Sequence, residues 1–190
     1  MPLKFFARLA AVALVFLCGA ASAEVITFRF TGSVTYSTYM APLGSPISGT
    51  FSYETSHNER RKDLLPGYNK TYAAYEFTDP FRMTATVNGH SVATSDLGVA
   101  VFNNNGGYDM VDVSGGPAIV DGTTYAGGGL GFRLMTTYGK TGVLHNTRLP
   151  RSYDASQFDS GLSYGYLQTD GGQNGRLLYF TIDAIDVVAP

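Results

Sequence analysis

The sequence predicts an all-β protein, an antiparallel β-sandwich of the jelly-roll type, in a single domain. Three observations lead to this fold class. Apolar residues recur at every second position in several segments, turn sequences rich in glycine and asparagine separate those segments, and no stretch keeps a helical period beyond a turn or two. The 13 tyrosines and 12 phenylalanines can fill a core, which argues against a disordered chain.

The N-terminus has the features of a secretory signal peptide. Lys4 and Arg8 precede a short apolar run, and Ala21-Ser22-Ala23 supplies the small residues of a cleavage site. The run is shorter than the roughly 20 residues that span a bilayer, so we expect a cleaved signal peptide at 1–23 and a mature domain at 24–190 without a membrane span.

Cleavage changes the composition of the chain. The mature protein would hold 11 basic and 15 acidic residues, a charge of −4, which gives no electrostatic reason to expect nucleic-acid binding. Cys18 would also be lost, leaving no thiol and no disulfide. Lipidation of Cys18 is the lesser alternative, because Leu17 stands where a lipoprotein signal has a small residue.

The first predicted strands alternate apolar and polar residues. Ile26, Phe28 and Phe30 share one face, and we expect the same parity to continue through Val34 to Tyr36. A second strand over 47–53 follows a turn rich in proline and would likewise have one face in the core and one in solvent.

Asn88-Gly89 predicts a hairpin turn. Both residues tolerate positive φ, and alternating segments lie on either side, at 81–87 and 90–94. A two-residue loop would pair Val87 with His90. It would also keep the next pair of opposing, inward-facing residues on the same face of the sheet.

Further strands are predicted at short intervals to the end of the chain. In the last one the apolar parity shifts near Asp183, which predicts a β-bulge. Asp154 is expected to cap a short helical turn at 154–158. The predicted strands lie at 97–102, 108–114, 130–134, 162–169 and 177–188, and the turns between them include 103–107, 121–122 and 170–175.

The polar insertion at 54–70 carries a basic cluster. Arg60, Arg61 and Lys62 lie close to His57 in an otherwise acidic chain. We expect a solvated loop, with contact to an anionic ligand as the alternative.

Catalytic patterns are sparse. Glu54 or Glu76 could pair with an aspartate across a cleft in a glycan-cleaving hydrolase, although no spacing demands it. His57, His90 and His145 are far apart, none with the spacing of a zinc site, and no serine lies in a Gly-x-Ser-x-Gly elbow. We therefore predict no catalytic residue and no cofactor.

Calcium is the metal that the sequence best accommodates. Asn103, Asn105, Asp109 and Asp112 offer oxygen ligands around a glycine-rich loop, without the spacing of a known calcium loop. Asp170 with Asn174 offers a second such set. The competing interpretation is that Asn, Asp and Gly are simply the residues that turns require.

Sugar binding is the remaining possibility. Tyr72, Tyr75 and Glu76 lie together in an aromatic stretch, where tyrosines offer stacking faces and phenolic hydrogen bonds. Strands also favour tyrosine, and the chain has no tryptophan for a flat platform.

Several short motifs follow one another along the mature chain. They are Phe30-Thr31-Gly32-Ser33-Val34, Ile47-Ser48-Gly49-Thr50-Phe51, Val87-Asn88-Gly89, Phe158-Asp159-Ser160-Gly161 and Leu177-Leu178-Tyr179-Phe180. Their order resembles the extracytoplasmic domains of PEP-CTERM sorting-domain proteins over nearly the whole mature chain.

The resemblance implies an exported β-rich protein of the cell surface or matrix of an exopolysaccharide-producing bacterium. Those proteins end in a sorting motif, an apolar helix and an arginine cluster, whereas this chain ends at Ala189-Pro190. A soluble relative and a truncated sequence both remain open. The expected role is that of a non-enzymatic envelope or matrix protein, with a carbohydrate-binding module and a glycan hydrolase as alternatives, extracellular polysaccharide as the expected partner and the oligomeric state unassigned.

Overall fold

The computed structural model describes residues 24–57, 71–169 and 176–188. This part of the chain is antiparallel β-structure with one 3-10 helix, η1 (Ala155–Gln157), and no α-helix. The strands are β1 (Val25–Ser37), β2 (Pro46–Glu54), β3 (Tyr72–Phe77), β4 (Met83–Val87), β5 (His90–Thr94), β6 (Leu97–Asn105), β7 (Tyr108–Gly115), β8 (Ala118–Val120), β9 (Thr123–Tyr125), β10 (Gly129–Met135), β11 (Tyr164–Gln168), β12 (Leu177–Phe180) and β13 (Ala184–Val188).

The predicted signal peptide, the basic cluster at 60–62 and the glycine-rich turn at 170–175 lie outside the described residues.

These strands form one strongly curled sheet, a half-barrel. The order is β3-β6-β7-β10-β11-β12-β1-β2-β4-β5-β8-β9, and β13 pairs with β1 beside this path. We call β13, β2, β4, β5, β8 and β9 half-sheet I, and β3, β6, β7, β10, β11 and β12 half-sheet II. Strand β1 belongs to both halves.

The long strand β1 changes partner along its length. Residues 27–31 pair with β13, whereas residues 34–37 pair with β12, and a register irregularity separates Val34 from Tyr36. Val34 is buried, but Tyr36 is 49% exposed. The predicted continuation of one parity from Val34 to Tyr36 is therefore wrong, because the irregularity turns the Tyr36 side chain outward.

The C-terminal segment is divided at the place where its parity shifts. Strand β12 ends at Phe180 and β13 begins at Ala184, so the predicted single strand is two strands that pair with different parts of β1. The parity shift near Asp183 marks the passage of the chain from half-sheet II to half-sheet I.

The predicted hairpin is confirmed. Asn88 and Gly89 both have positive φ, 48° and 83°, and Val87 lies opposite His90. The pair Asp121 and Gly122 has the same geometry, with φ of 47° and 82°, and joins β8 to β9.

Three strands were not predicted. Strand β3, in the aromatic stretch, pairs along its whole length with β6, while β8 and β9 are only three residues each. The loop predicted at 103–107 is also shorter than expected, because β6 continues to Asn105 and leaves only Gly106 and Gly107 in the turn.

The core lies inside the curl, between the two halves of the sheet. Phe30 of the shared strand β1 and Phe51 of half-sheet I pack on Phe132 of half-sheet II. Their ring centroids lie 5.8 and 5.4 Å, respectively, from the centroid of Phe132. All three rings are at most 1% exposed. Two glycines make room for such rings: a Cβ at Gly49 would overlap Phe30, and one at Gly165 would overlap another core phenylalanine.

The long connection at 136–163 contributes to this core, and we call it the covering segment. Leu149, Tyr153 and Phe158 from this segment are all less than 10% exposed. The 3-10 turn within it begins as predicted, with the Asp154 carboxylate accepting a hydrogen bond from the Ser156 amide.

Hydrogen bonds from phenol groups link the covering segment to the sheet. The Tyr75 hydroxyl donates to the Thr147 carbonyl at 2.9 Å, and the Tyr53 hydroxyl donates to the Pro150 carbonyl at 2.5 Å. The Tyr53 and Tyr153 oxygens are 2.9 Å apart. Burial raises the pKa of both Tyr53 and Tyr153, so the two phenols stay protonated.

Candidate functional site

A row of outward residues crosses half-sheet II. The register places Glu76 opposite Gly98, Gly98 opposite Ser114, Ser114 opposite Gly131 and Gly131 opposite Tyr166. Residues directly opposite each other in neighbouring strands point to the same face, which here is the face away from the core. Two of the five positions are glycine, so the row has side chains at its ends and little in between.

A trough of about 570 Å³, which we call the glycine trough, lies on this face where Gly98 carries no side chain. Glu76 on β3 and Tyr166 on β11 lie at its two sides, and Gly98 forms part of its floor. These sides are four strand spacings of about 4.8 Å apart, or roughly 19 Å along the sheet. A Cβ at Gly98 would meet only the Ser114 carbonyl oxygen at 3.5 Å and the Tyr75 carbonyl oxygen at 3.9 Å, so the sheet itself does not require glycine there.

The Tyr166 ring lies across the neighbouring glycine. A Cβ at Gly131 would fall 2.9 Å from the Tyr166 hydroxyl oxygen and 2.8 Å from the Ser114 Cβ. The phenol also bonds to the Ser114 side chain. Burial, followed by the negative charge of Asp112, raises the pKa of Tyr166. The ring is thus held down against the sheet and remains a neutral phenol.

Three more tyrosines continue from Tyr166, and the four together form what we call the tyrosine cluster: Tyr36, Tyr164, Tyr166 and Tyr179. Tyr166 lies opposite Tyr179, which in turn lies opposite Tyr36. The Tyr179 centroid is 6.0 Å from that of Tyr36 and 5.8 Å from that of Tyr164. Tyr36 and Tyr164 are 49% and 38% exposed, so the cluster presents aromatic surface to solvent.

A charged pair lies beside the tyrosine cluster. Arg133 donates to one carboxylate oxygen of Asp112, from Nε at 3.2 Å and from Nη2 at 2.9 Å. Its guanidinium carbon is also 5.9 Å from the centroid of the Tyr164 ring. Burial lowers the pKa of Arg133, but the hydrogen bond and charge of Asp112 outweigh it and raise the pKa overall. This arginine therefore already has a charged partner within the protein.

Two carboxylates line the glycine trough. Glu76 is exposed on β3, and Asp96 follows the β5 strand, where its Oδ1 accepts a hydrogen bond from the Gly116 amide at 2.9 Å. Gln168 adds an amide to the opposite wall. These groups supply hydrogen-bond acceptors and donors beside the aromatic surface.

The structure separates the three predicted ligand-binding residues. Tyr75 is 4% exposed and lies in the core, whereas Tyr72 and Glu76 lie on the outer face because strand residues alternate. Tyr72 packs on Phe102, with centroids 4.6 Å apart. Of the three, Glu76 lines the glycine trough.

Sequence reasoning did not bring the members of the tyrosine cluster together. Its members lie on three strands that are distant in the chain, and the register that brings them together depends on the irregularity in β1. The available signal was the glycine and tyrosine content of 164–179.

The four calcium candidates do not converge. The buried Asp109 carboxylate accepts from the amides of Asn104, at 2.7 Å, and Leu144, at 2.9 Å, while Asp112 faces outward to Arg133. The remaining two candidates are Asn103, which is half-buried, and Asn105, which is 6% exposed. Within residues 24–57, 71–169 and 176–188, no group of three histidines, cysteines or acidic residues could hold a metal ion.

The other titratable candidates lie apart from the glycine trough. Glu54 ends β2 and accepts a hydrogen bond from the Ser56 hydroxyl at 2.6 Å. The His57 ring packs on Phe77, His90 bonds to Asp121 at 2.7 Å, and His145 is exposed in the covering segment.

Half-sheet I carries a second groove, of about 450 Å³, on its outer face. Its hydroxyls bond to one another, as in the pair Thr50 and Thr84 at 2.9 Å, and Arg29 lies 3.5 Å from Asp186. No aromatic ring lines this groove among the described residues. The glycine trough is therefore the stronger candidate site.

Comparison with protein-family models, curated proteins and solved structures finds no match to the chain. No helix in the described part of the chain is long and apolar enough to cross a membrane.

Proposed function

We propose that this protein is an exported, non-enzymatic component of a bacterial cell envelope or exopolysaccharide matrix, and that it binds polysaccharide on the outer face of half-sheet II. One observation carries the binding proposal: a glycine trough with carboxylate and amide groups lies next to an exposed tyrosine cluster. Sugars offer hydroxyls to polar groups and C–H surfaces to aromatic faces, so such a surface suits them.

The compartment and kinship are part of the same proposal. The signal-peptide features at 1–23 support export, and the motif order supports a relationship to PEP-CTERM proteins. The contact of Phe51 with Phe132 across the core supports treating the two halves as a β-sandwich.

A glycan hydrolase using Glu76 is the second candidate, because Asp96 lines the same trough. Asp96, however, already accepts the Gly116 amide and holds a turn. Glu54, the other predicted acid, belongs to a different part of the sheet. Binding without cleavage therefore has the better support.

Filling the glycine trough tests the binding proposal. In Gly98→Val a larger side chain would occupy the floor of the trough, and β-branched residues suit strands. Thr86→Val, on the outer face of half-sheet I, is the matched control. Affinity electrophoresis through gels containing the polysaccharide of the producing cell, or neutral polysaccharides, should show retardation of the parent protein and of Thr86→Val, with about tenfold weaker retention of Gly98→Val, or roughly 1.4 kcal/mol.

The same samples test catalysis. Release of reducing ends during incubation would favour the hydrolase, and its loss in Glu76→Gln would assign the acid. Equal retention of Gly98→Val and Thr86→Val would contradict the proposed site, provided that both variants unfold at the same denaturant concentration as the parent.

A further inference from the structure

We propose that Tyr36 and Tyr179 form a site of oxidative cross-linking, at which peroxide joins the two phenol rings into dityrosine. The residues lie opposite each other on the neighbouring strands β1 and β12, and their ring centroids are 6.0 Å apart. Tyr36 is exposed, and both rings belong to the outer face of the sheet, where an oxidant in solution meets them. The reaction needs no bound sugar, so it is independent of the proposed function.

Dityrosine forms when two phenols together lose two electrons and two protons. Each phenol gives up one electron and its hydroxyl proton and becomes a radical, and a carbon–carbon bond then forms between the ring carbons next to the two oxygen-bearing carbons. The hydrogens on the joined carbons move to the oxygens, which restores both phenols. Hydrogen peroxide, acting through a haem peroxidase, takes up the two electrons and two protons and becomes two molecules of water.

The two rings are arranged in a way that suits this bond. Their planes meet at 43°. Two joined phenol rings are likewise twisted against each other, because the groups beside the new bond collide when the rings are coplanar. The reacting carbons still have to approach, and the exposed Tyr36 side chain can rotate on the picosecond to nanosecond timescale, which brings them together without moving the strands.

Tyr164 is the competing partner for Tyr179. Its ring centroid is 5.8 Å from that of Tyr179, but the two planes meet at 87°, so the edge of one ring faces the surface of the other. The Arg133 guanidinium carbon also lies 5.9 Å from the centroid of the Tyr164 ring. A cation over an aromatic ring opposes the loss of an electron from it. Tyr36 is therefore the favoured partner.

Contact between two tyrosines is not sufficient for this reaction. The Tyr53 and Tyr153 oxygens are 2.9 Å apart, yet both residues are buried. Burial raises the pKa of both phenols, so neither gives up its proton easily. We expect this pair to stay unmodified under conditions that couple the exposed pair.

The cross-link would give the chain a covalent bond between distant strands. The one cysteine, Cys18, lies in the predicted signal peptide, so the described residues contain no disulfide. A bond between Tyr36 and Tyr179 would join β1 to β12 beside the register irregularity at which β1 changes partner. Cross-linking distant residues lowers the entropy of the unfolded chain, so the coupled protein should unfold at a higher urea concentration than the uncoupled one.

Oxidation of the full chain in dilute solution tests the proposal. The protein would be treated with hydrogen peroxide and a haem peroxidase, and the monomer fraction would be digested with trypsin and analysed by mass spectrometry. We expect a linked pair of peptides, 30–60 and 177–190, lighter than their sum by two hydrogen atoms and showing dityrosine fluorescence. Tyr179 is the one tyrosine in peptide 177–190, and the fragment spectrum locates the bond in peptide 30–60.

Phenylalanine variants assign the bond, because phenylalanine forms no phenoxyl radical. Tyr36→Phe should lose the linked pair. Tyr138→Phe, which removes a 78% exposed phenol from the covering segment, is the matched control and should keep it, as should Tyr164→Phe. Three results would overturn the proposal: an unchanged yield of the pair in Tyr36→Phe, linkage of peptide 177–190 to peptide 152–176 instead of 30–60, or linkage between molecules alone.

Discussion

Replacing Tyr53 with phenylalanine should destabilise the protein more than the same change at Tyr153, although each removes one oxygen. The reason lies in the direction of the hydrogen bonds. A carbonyl only accepts, so the single Tyr53 proton is donated to the Pro150 oxygen at 2.5 Å. Tyr153 must then donate to the Tyr53 oxygen at 2.9 Å.

The two substitutions leave different groups behind. Tyr53→Phe removes the hydroxyl that bonds to both the Pro150 carbonyl and the Tyr153 hydroxyl beside the core. The free energy of unfolding should fall by about 2–3 kcal/mol. Tyr153→Phe removes one donor and keeps the bond from Tyr53 to Pro150, so about 1 kcal/mol is expected. In the double variant the Tyr153 hydroxyl is no longer stranded, and the loss should fall about 1 kcal/mol short of the sum.

Urea unfolding followed by far-ultraviolet circular dichroism measures all four proteins, because the tyrosine signal itself changes with the substitutions. The slope against urea should stay constant while the midpoint moves. Equal losses for the two single variants, or losses that add to within about 0.5 kcal/mol, would refute the assigned direction of the bonds.

Three further predictions concern stability. Gly165→Ala should lower the free energy of unfolding by about 1–3 kcal/mol because its Cβ would overlap a core phenylalanine ring. Gly98→Ala should be neutral or stabilising. Equal urea midpoints for the two variants would contradict this. Asp109→Asn should cost about 1–3 kcal/mol, since one of its two amide-accepting oxygens becomes a donor, and a loss below about 0.5 kcal/mol would contradict it. The imidazole of His90 and a backbone amide hold the pKa of Asp121 below its ordinary 3.8. The parent should therefore have a larger free energy of unfolding than Asp121→Asn above pH 3.8, and this difference should disappear as the pH falls through the lowered pKa of the folded state. A difference that does not depend on pH would contradict this.

Local patterns predicted much of the fold. The alternation in β2, β4 and β1 up to Val34 and the positive φ of Asn88 and Gly89 follow from short-range sequence, and the structure has all of them. The parity shift near Asp183 also lies where the chain changes partner. These features need only a residue and its near neighbours.

Features that depend on distant residues could not be predicted in this way. Tyr36 points outward because β12 meets β1 beyond a register irregularity, and Tyr75 is inward because β3 pairs with β6. Asp109, predicted as a calcium ligand, accepts hydrogen bonds from two backbone amides that lie on either side of it in the chain. The composition of the site was visible in the sequence, but its assembly required the register.

The position of β1 has a consequence for how the chain folds. Strand β1 lies in the middle of the sheet and precedes every other described strand in the chain, yet residue 27 pairs with residue 188 and residue 34 with residue 180. The closure of the sheet therefore requires β12 and β13, the last of the described strands, and such high contact order slows folding. We expect an emerging polypeptide to remain open, and cleavable by protease, until β12 and β13 have arrived, so loss of these two short strands should be far more harmful than loss of β9.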